Sequence, residues 1–186
     1  MNKTIFEKKM YTCIYIIYTR LSLQMPKTTL TLTNWSMALI PYTINPQHYS
    51  STIYYDLNVV IIQDKHPKSL KHFLIMPRER IDRDQLTTKN IQLIQLLKQY
   101  ANDLVDNKLG RLNDCPVPNK NNGLHNALIG FHAIPSMHQL HLHVLSRDLS
   151  LVRHKHHYNS FSSEFLMNPD TFIRLLKEHG RIKVHD

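Results

Sequence analysis

The chain has 186 residues, 42% of them apolar, and carries 23 lysines and arginines against 14 acidic residues, a formal charge of +9. That length suits one domain with a sizeable core plus tails, and the basic balance favours polyanions such as nucleic acid or an anionic membrane surface. Two cysteines exclude a disulfide scaffold and fit a reducing compartment, while four glycines leave no support for a P-loop or Rossmann phosphate loop.

Residues 1–33 read as an N-terminal extension without assigned structure. Lys3, Lys8, Lys9 and Arg20 flank an apolar run, Met10–Tyr18. The run is too short for a helical span, which needs about 20 residues, and no small-x-small cleavage site follows it. A basic segment with Glu7 as its single acid leaves a mitochondrial presequence open. The preferred reading is an upstream extension of no structural role, with Met25 as an alternative start. Lys27–Thr33 is a polar linker. Asn34 is placed to cap a short helix over Trp35–Leu39, which Pro41 is expected to end. Trp35 reads by size as a core plug.

Strands come next. Thr52–Asp56 and Asn58–Gln63 are β-branched and aromatic, joined tightly enough for a hairpin, and Lys71–Met76 follows as a third strand closed by Pro77. Lys65, Lys68, Lys71, Arg78, Arg80 and Arg83 gather around this hairpin and its exit. Asp84–Asp106 has apolar residues at three- and four-residue intervals, the pattern of one long helix packed on a core. From Asn107 to Gly123 the chain reads as loop, with Cys115 incidental within it.

Leu124–His132 is a strand that leads into the most informative stretch, Gly130 to Asp148. From Gln139 on, residues alternate: Gln139, His141 and His143 share one strand face, and Leu140, Leu142 and Val144 the other. His132 and Ser136, behind a Pro-bearing turn, can fold back over the same face. Imidazoles so placed serve as metal ligands, as acid–base groups or as nucleophiles. A zinc site completed by His132 or His138 is one reading, and a solvated histidine-bearing face is another. The third is covalent catalysis at phosphorus, in which one ring nitrogen attacks and its neighbours hold the phosphate oxygens.

Arg153–Phe161 reads as a basic loop carrying aromatics, suited to a nucleic-acid backbone, with metal binding by His154, His156 and His157 as the competing reading. Asn168 and Pro169 start a final helix that runs to Gly180. Strands, a long helix, strands and a helix describe an α+β domain on an antiparallel sheet.

Taken together, Gly-Phe-His132-Ala-Ile-Pro-Ser136-Met137 before Leu-His141-Leu-His143-Val resembles the aprataxin-like branch of the histidine-triad (HIT) superfamily. Trp35-Ser36, Asp64-Lys65-His66-Pro67-Lys68 and His157-Tyr-Asn-Ser-Phe161 match the same branch in the same order. The resemblance implies a HIT-like fold: an antiparallel sheet of about five strands with a long helix and short flanking helices. It would occupy residues 34–165, with 166–186 as a C-terminal helix and tail.

The resemblance also implies a DNA-repair deadenylase. His141 would attack the adenylate phosphorus of a 5′-adenylated DNA end, giving an adenylyl-histidine, then AMP and 5′-phosphate DNA. His143 would hold the phosphate, and His132 would assist the leaving group or bind the 5′-phosphate. Asp64, Lys65, His66, Pro67, Lys68, Ser136, Met137, Gln139 and Lys155 would contact nucleotide or DNA, and Trp35 would lie near the nucleotide. No metal or cofactor is implied. The expected protein is a monomer that binds nicked or adenylated DNA and no membrane, located in the nucleus or also the cytoplasm. Two departures stand out. The first triad position is Gln139 in place of histidine, and no cysteine follows Cys115, so either the protein lacks the branch's C-terminal zinc finger or the sequence is truncated. Alternatives are a general HIT hydrolase of adenosine phosphoramidates or dinucleoside polyphosphates, and a non-catalytic nucleic-acid-binding module.

Overall fold

Alternation in the strands gives one sheet two unlike faces. The computed structural model describes residues 35–82, 85–109, 124–162 and 165–181, without the side chains of residues 155 and 156. All of these lie in one unit, Asn34–Val184. The strands are β1 (Thr52–Tyr55), β2 (Val59–Gln63), β3 (His72–Pro77), β4 (Leu128–His132), β5 (Leu142–Leu145) and β6 (Leu166–Met167). The helices are α1 (Ile40–Ile44), α2 (Ile91–Val105), α3 (Lys155–Ser160) and α4 (Pro169–His179). The six strands are antiparallel, in the order β1-β2-β3-β5-β4-β6.

One face, with Val59, Ile61, Phe73, Ile75, Leu142, Val144 and Phe131, forms the main core with Ile94, Leu97 and Leu104 of α2 and Phe172 and Leu176 of α4. Each such side chain contributes about 1.5–3 kcal/mol when fully buried, so this layer fixes the sheet's register. The opposite face carries two smaller apolar clusters. Val60, Ile62, Leu74, Met76 and Leu39 form one, and Leu145, Phe161 and Leu166 form the other. Between them lie the histidines.

The sheet has six strands because Leu166–Met167 pairs with Phe131–His132. Gly130 permits that approach. A Cβ there would sit 2.7 Å from Leu166 Cγ and 2.8 Å from the Met167 carbonyl oxygen. Residues 166–181 therefore belong to the same sheet and core rather than to an appended tail.

Other boundaries shift for local reasons. Pro41 starts α1 instead of ending a helix, because a ring that lacks an N–H is tolerated in a first turn; residues 35–39 form turns. The long helix begins at Ile91, after a 3-10 turn capped by Thr87 and Asn90, and not at Asp84. Arg153–Phe161 contains the helix α3 and is not a loop throughout. Asn168 does cap α4, accepting from the Thr171 N–H at 2.8 Å, and Gly180 ends it at φ 74°, a conformation that glycine adopts without strain. The readings of residues 1–34, of Arg83, of Cys115 and of residues 182–186 fall outside the described residues.

Two clamps hold the hairpin. Asp56 accepts hydrogen bonds from the Tyr54 and Tyr100 hydroxyls and from the N–H groups of Asn58 and Val59. Arg78 donates to the carbonyls of Thr43, Ile44 and Asp56. The second clamp fixes α1, and through it the turn that carries Trp35.

Candidate active site

β5 sits between β3 and β4, so His143 projects from the middle of a hydrogen-bonded sheet. It is paired with Leu74 on one side and Gly130 on the other. His141 lies two residues earlier on the same face, in the extended segment that enters β5, and His132 ends β4. The His132 and His143 ring centres are 4.2 Å apart, and those of His141 and His143 4.9 Å. His141 and His143 are buried.

Hydrogen-bond partners assign the tautomers. The ring nitrogen Nδ1 of His141 lies 2.8 Å from the Gln139 carbonyl oxygen. A carbonyl only accepts, so Nδ1 carries a proton, and in the neutral ring Nε2 keeps its lone pair. His143 is set the other way. The Lys68 backbone N–H donates to His72 Nδ1 at 3.2 Å, which leaves the His72 proton on Nε2. That nitrogen is 2.9 Å from His143 Nδ1, so it donates to it and the His143 proton sits on Nε2. His143 Nε2 is buried and makes no hydrogen bond to the described residues. Two imidazoles two residues apart thus present opposite functions, a lone pair and a donor.

Electrostatics agree with this order. Burial pushes His72 down to about 4, opposed by Asp64 and helped by the charge of Lys68 and by that of His141 whenever it is protonated. Burial also holds His143 well below the usual imidazole value, with His132, His141 and His72 acting in the same direction. Both rings bind protons more weakly folded than unfolded. The stability they confer is therefore present above 6.5 and is lost as pH falls from 6.5 towards about 4. Urea midpoints should be flat above pH 7 and drop steadily from pH 6.5 to 4.5; a midpoint constant through that window would mean that these rings titrate normally.

The histidines form the floor of a cavity of about 530 Å³, within the range of roughly 300–1,000 Å³ of small-molecule sites. Leu39, Tyr42, Ile62 and Leu74 make an apolar wall, and Asp64, Lys65, His66 and Lys68 a polar rim. Ser136, exposed, and Met137, half-buried, also line it. Trp35 is 51% exposed, with its ring 5.5 Å from that of His66. It is a wall of the cavity rather than a core plug.

The structure brings together His132, His141, His143, Asp64, Lys65, His66, Lys68, Ser136 and Met137. Asp64 caps its own turn by accepting from the His66 N–H at 2.8 Å, and its other oxygen is 3.4 Å from His72 Nε2. Pro67 lines a neighbouring cleft instead. Gln139 is fully buried and bonds to backbone carbonyls at the end of β3 and just after it, away from the cavity lining. The Lys155 side chain lies outside the described residues. His138, offered as a zinc ligand, is exposed, and its N–H bonds to the Ser36 carbonyl. One ring nitrogen each of His132, His141 and His143 lie within 4.8 Å of one another, so these three could share an ion.

Besides the apolar wall, His72 and Phe161 belong to the site and were not assigned to it from sequence. His72 looked like an ordinary strand residue; its signal was a histidine at the start of a strand that is otherwise apolar. Phe161 sets its ring edge-on to His72, His132 and His143, with centres 5.7, 4.9 and 5.8 Å away.

The neighbouring cleft, about 520 Å³, shares Lys65, His66, Lys68 and His157 with the cavity and adds Arg153 and His154. No carboxylate lines it among the described residues. Asp148 holds its walls together. It accepts from the Ser146 and Ser150 hydroxyls, from the Ser150 N–H at 3.1 Å and from the Leu70 N–H at 3.2 Å. Against the raising effect of burial, these bonds hold its carboxyl below the usual range.

Residues 41–158 match the family described as scavenger mRNA decapping enzyme C-term binding. A HIT domain-containing protein of Dictyostelium discoideum is 33% identical over 79% of this chain and 38% of its own length. The aprataxin of Danio rerio is 30% identical over 82% of this chain and 44% of its own. This chain thus spans less than half the length of those two relatives. The aprataxin ortholog Hnt3, solved in complex with DNA, superposes with a TM-score of 0.60 at 33% identity, over 75% of this chain and 74% of that one. The family match over most of the chain, the shared identity and the common HIT-like α+β fold agree: this chain belongs to the aprataxin-like branch of the histidine-triad superfamily.

Proposed function

We propose that the protein removes AMP from 5′-adenylated DNA ends. The observation that carries this reading is the pair of opposite tautomers at the cavity floor. His141 Nε2, with its lone pair, attacks the adenylate phosphorus, and the phosphoanhydride P–O bond breaks. The 5′-phosphate of the DNA leaves, and the AMP moiety stays on His141. Water then attacks the same phosphorus, the P–N bond breaks and AMP departs. His143 Nε2–H donates to a non-bridging oxygen as charge redistributes on it. The leaving group is already an anion, so His132 serves mainly to position its phosphate. Lys68 binds phosphate from the rim, and the apolar wall with Trp35 receives the base.

The carboxylate-free cleft beside the cavity supports DNA over a small nucleotide, since a strand continuing from the reacting phosphate would meet Lys65 and Arg153. Hnt3, a relative, binds DNA. We place the protein in the nucleus, acting as a monomer, on the same reading.

The decisive experiment uses a nicked duplex carrying a 5′-adenylate, with EDTA present, following AMP release and protein mass. Turnover with an adduct on His141 is expected. Loss of activity in EDTA would favour a metal held by the histidines, and cleavage of small adenylates alone would favour a general nucleotide hydrolase. Affinity for DNA should fall with salt by about 0.7–0.9 log unit per log unit for each phosphate contact. Arg153→Ala should make that slope shallower by about one, and Lys68→Ala should raise KM more than it lowers kcat. A salt-independent affinity would remove the cleft from the DNA path.

A further inference from the structure

From the bonds of its buried side chain we infer that Gln139, where the branch has histidine, is a positioning residue that holds the nucleophile in its reactive tautomer through its own backbone. The inference rests on the reading of His141 as nucleophile. Gln139 does not line the cavity and is fully buried. Its single amide nitrogen reaches two carbonyls, that of Pro77, the last residue of β3, at 3.2 Å and that of Glu79, just after it, at 3.0 Å. Its amide oxygen, also buried, has no partner among the described residues. The side chain is thus anchored by its NH₂ end alone.

The backbone around it is pinned to the same segment. Gln139 bridges Asp82, and the Leu140 N–H bonds to the Ile81 carbonyl at 2.8 Å. The carbonyl of the anchored residue is the group that takes the His141 Nδ1 proton. Shift that carbonyl and His141 loses the bond that keeps its lone pair on Nε2.

The residue type matters. An amide nitrogen carries two hydrogens and stays neutral at every working pH, so one atom can bond to two carbonyls. A neutral imidazole has one N–H, and even when protonated its two donors diverge across the ring. Glutamine at this position therefore ties both carbonyls without titrating.

The test is Gln139→Leu, which keeps much of the bulk and removes both donors, with Gln139→His as the conservative variant. A misplacement of about 1 Å costs on the order of 100-fold in rate, so Gln139→Leu should lower kcat 10- to 100-fold and leave KM within about twofold. Gln139→His, able to hold one carbonyl, should recover much of the loss. The second readout needs no substrate: the ¹⁵N shifts of the His141 ring should report one tautomer, Nδ1–H, in the native protein and a mixture in Gln139→Leu. An unchanged kcat and tautomer would overturn the inference. So would a fall in activity with the tautomer intact and the melting temperature lowered, which marks a merely structural residue. If the native protein forms no adduct on His141, the nucleophile reading fails, while the tautomer measurement still decides what Gln139 holds.

Discussion

His141→Ala should abolish turnover and, with it, the covalent adenylate. Removing a nucleophile that works as a unit with its neighbours costs on the order of 10⁶-fold in kcat. His143 is not placed to substitute. The His143 nitrogen that faces the site carries a proton, because its other nitrogen accepts from His72. Fold and binding should survive, since His141 makes its described hydrogen bond to a backbone carbonyl and lies between two apolar clusters rather than within one. Rapid-quench mass spectrometry on the adenylated duplex is the direct check. Native protein should show a mass increase of one adenylate mapped to His141, and the variant none. A variant that turns over at the native rate would end the covalent proposal.

The second large effect is expected at His143 and, through it, at His72. Losing one preorganised donor to a developing oxyanion costs about 100- to 1,000-fold in rate, and His143→Ala should fall in or beyond that interval. His72→Phe leaves His143 in place but removes the proton that fixes its tautomer. The coupling of such directly bonded pairs is about 0.5–3 kcal/mol, so the loss should reach up to about 100-fold. Because His72 acts through His143, the double variant should be no worse than His143→Ala alone. Additive losses across the cycle would instead give His72 a role independent of His143. Single-turnover rates separate this from binding, since neither change should alter the affinity for unreacted substrate more than a few-fold.

The sequence by itself determined the features that rest on local periodicity. Alternation from Gln139 to Val144 placed two imidazoles on one face and three aliphatics on the other, and the structure keeps that division, with Leu142 and Val144 in the main core. The α4 boundaries were legible because a cap, a proline and a glycine act within a single turn. The hairpin of β1 and β2 was legible because two β-branched and aromatic runs are joined by a short connection.

Register and packing decided the rest. The one local sign at His72, a histidine opening an otherwise apolar strand, does not say what it meets. It meets His143 because β3 pairs antiparallel with β5, with Leu74 opposite His143, and the two histidines are 71 positions apart in the chain. Phe161 reaches the same imidazoles only because the chain after β5 turns back over the sheet. Trp35 looked like core by its size and is half exposed, since the apolar cluster beside it is already filled by Leu39 and its neighbours. The proton assignments were the least legible of all. They depend on a carbonyl at Gln139 and an N–H at Lys68, groups that every sequence possesses and that only tertiary structure aims at a ring.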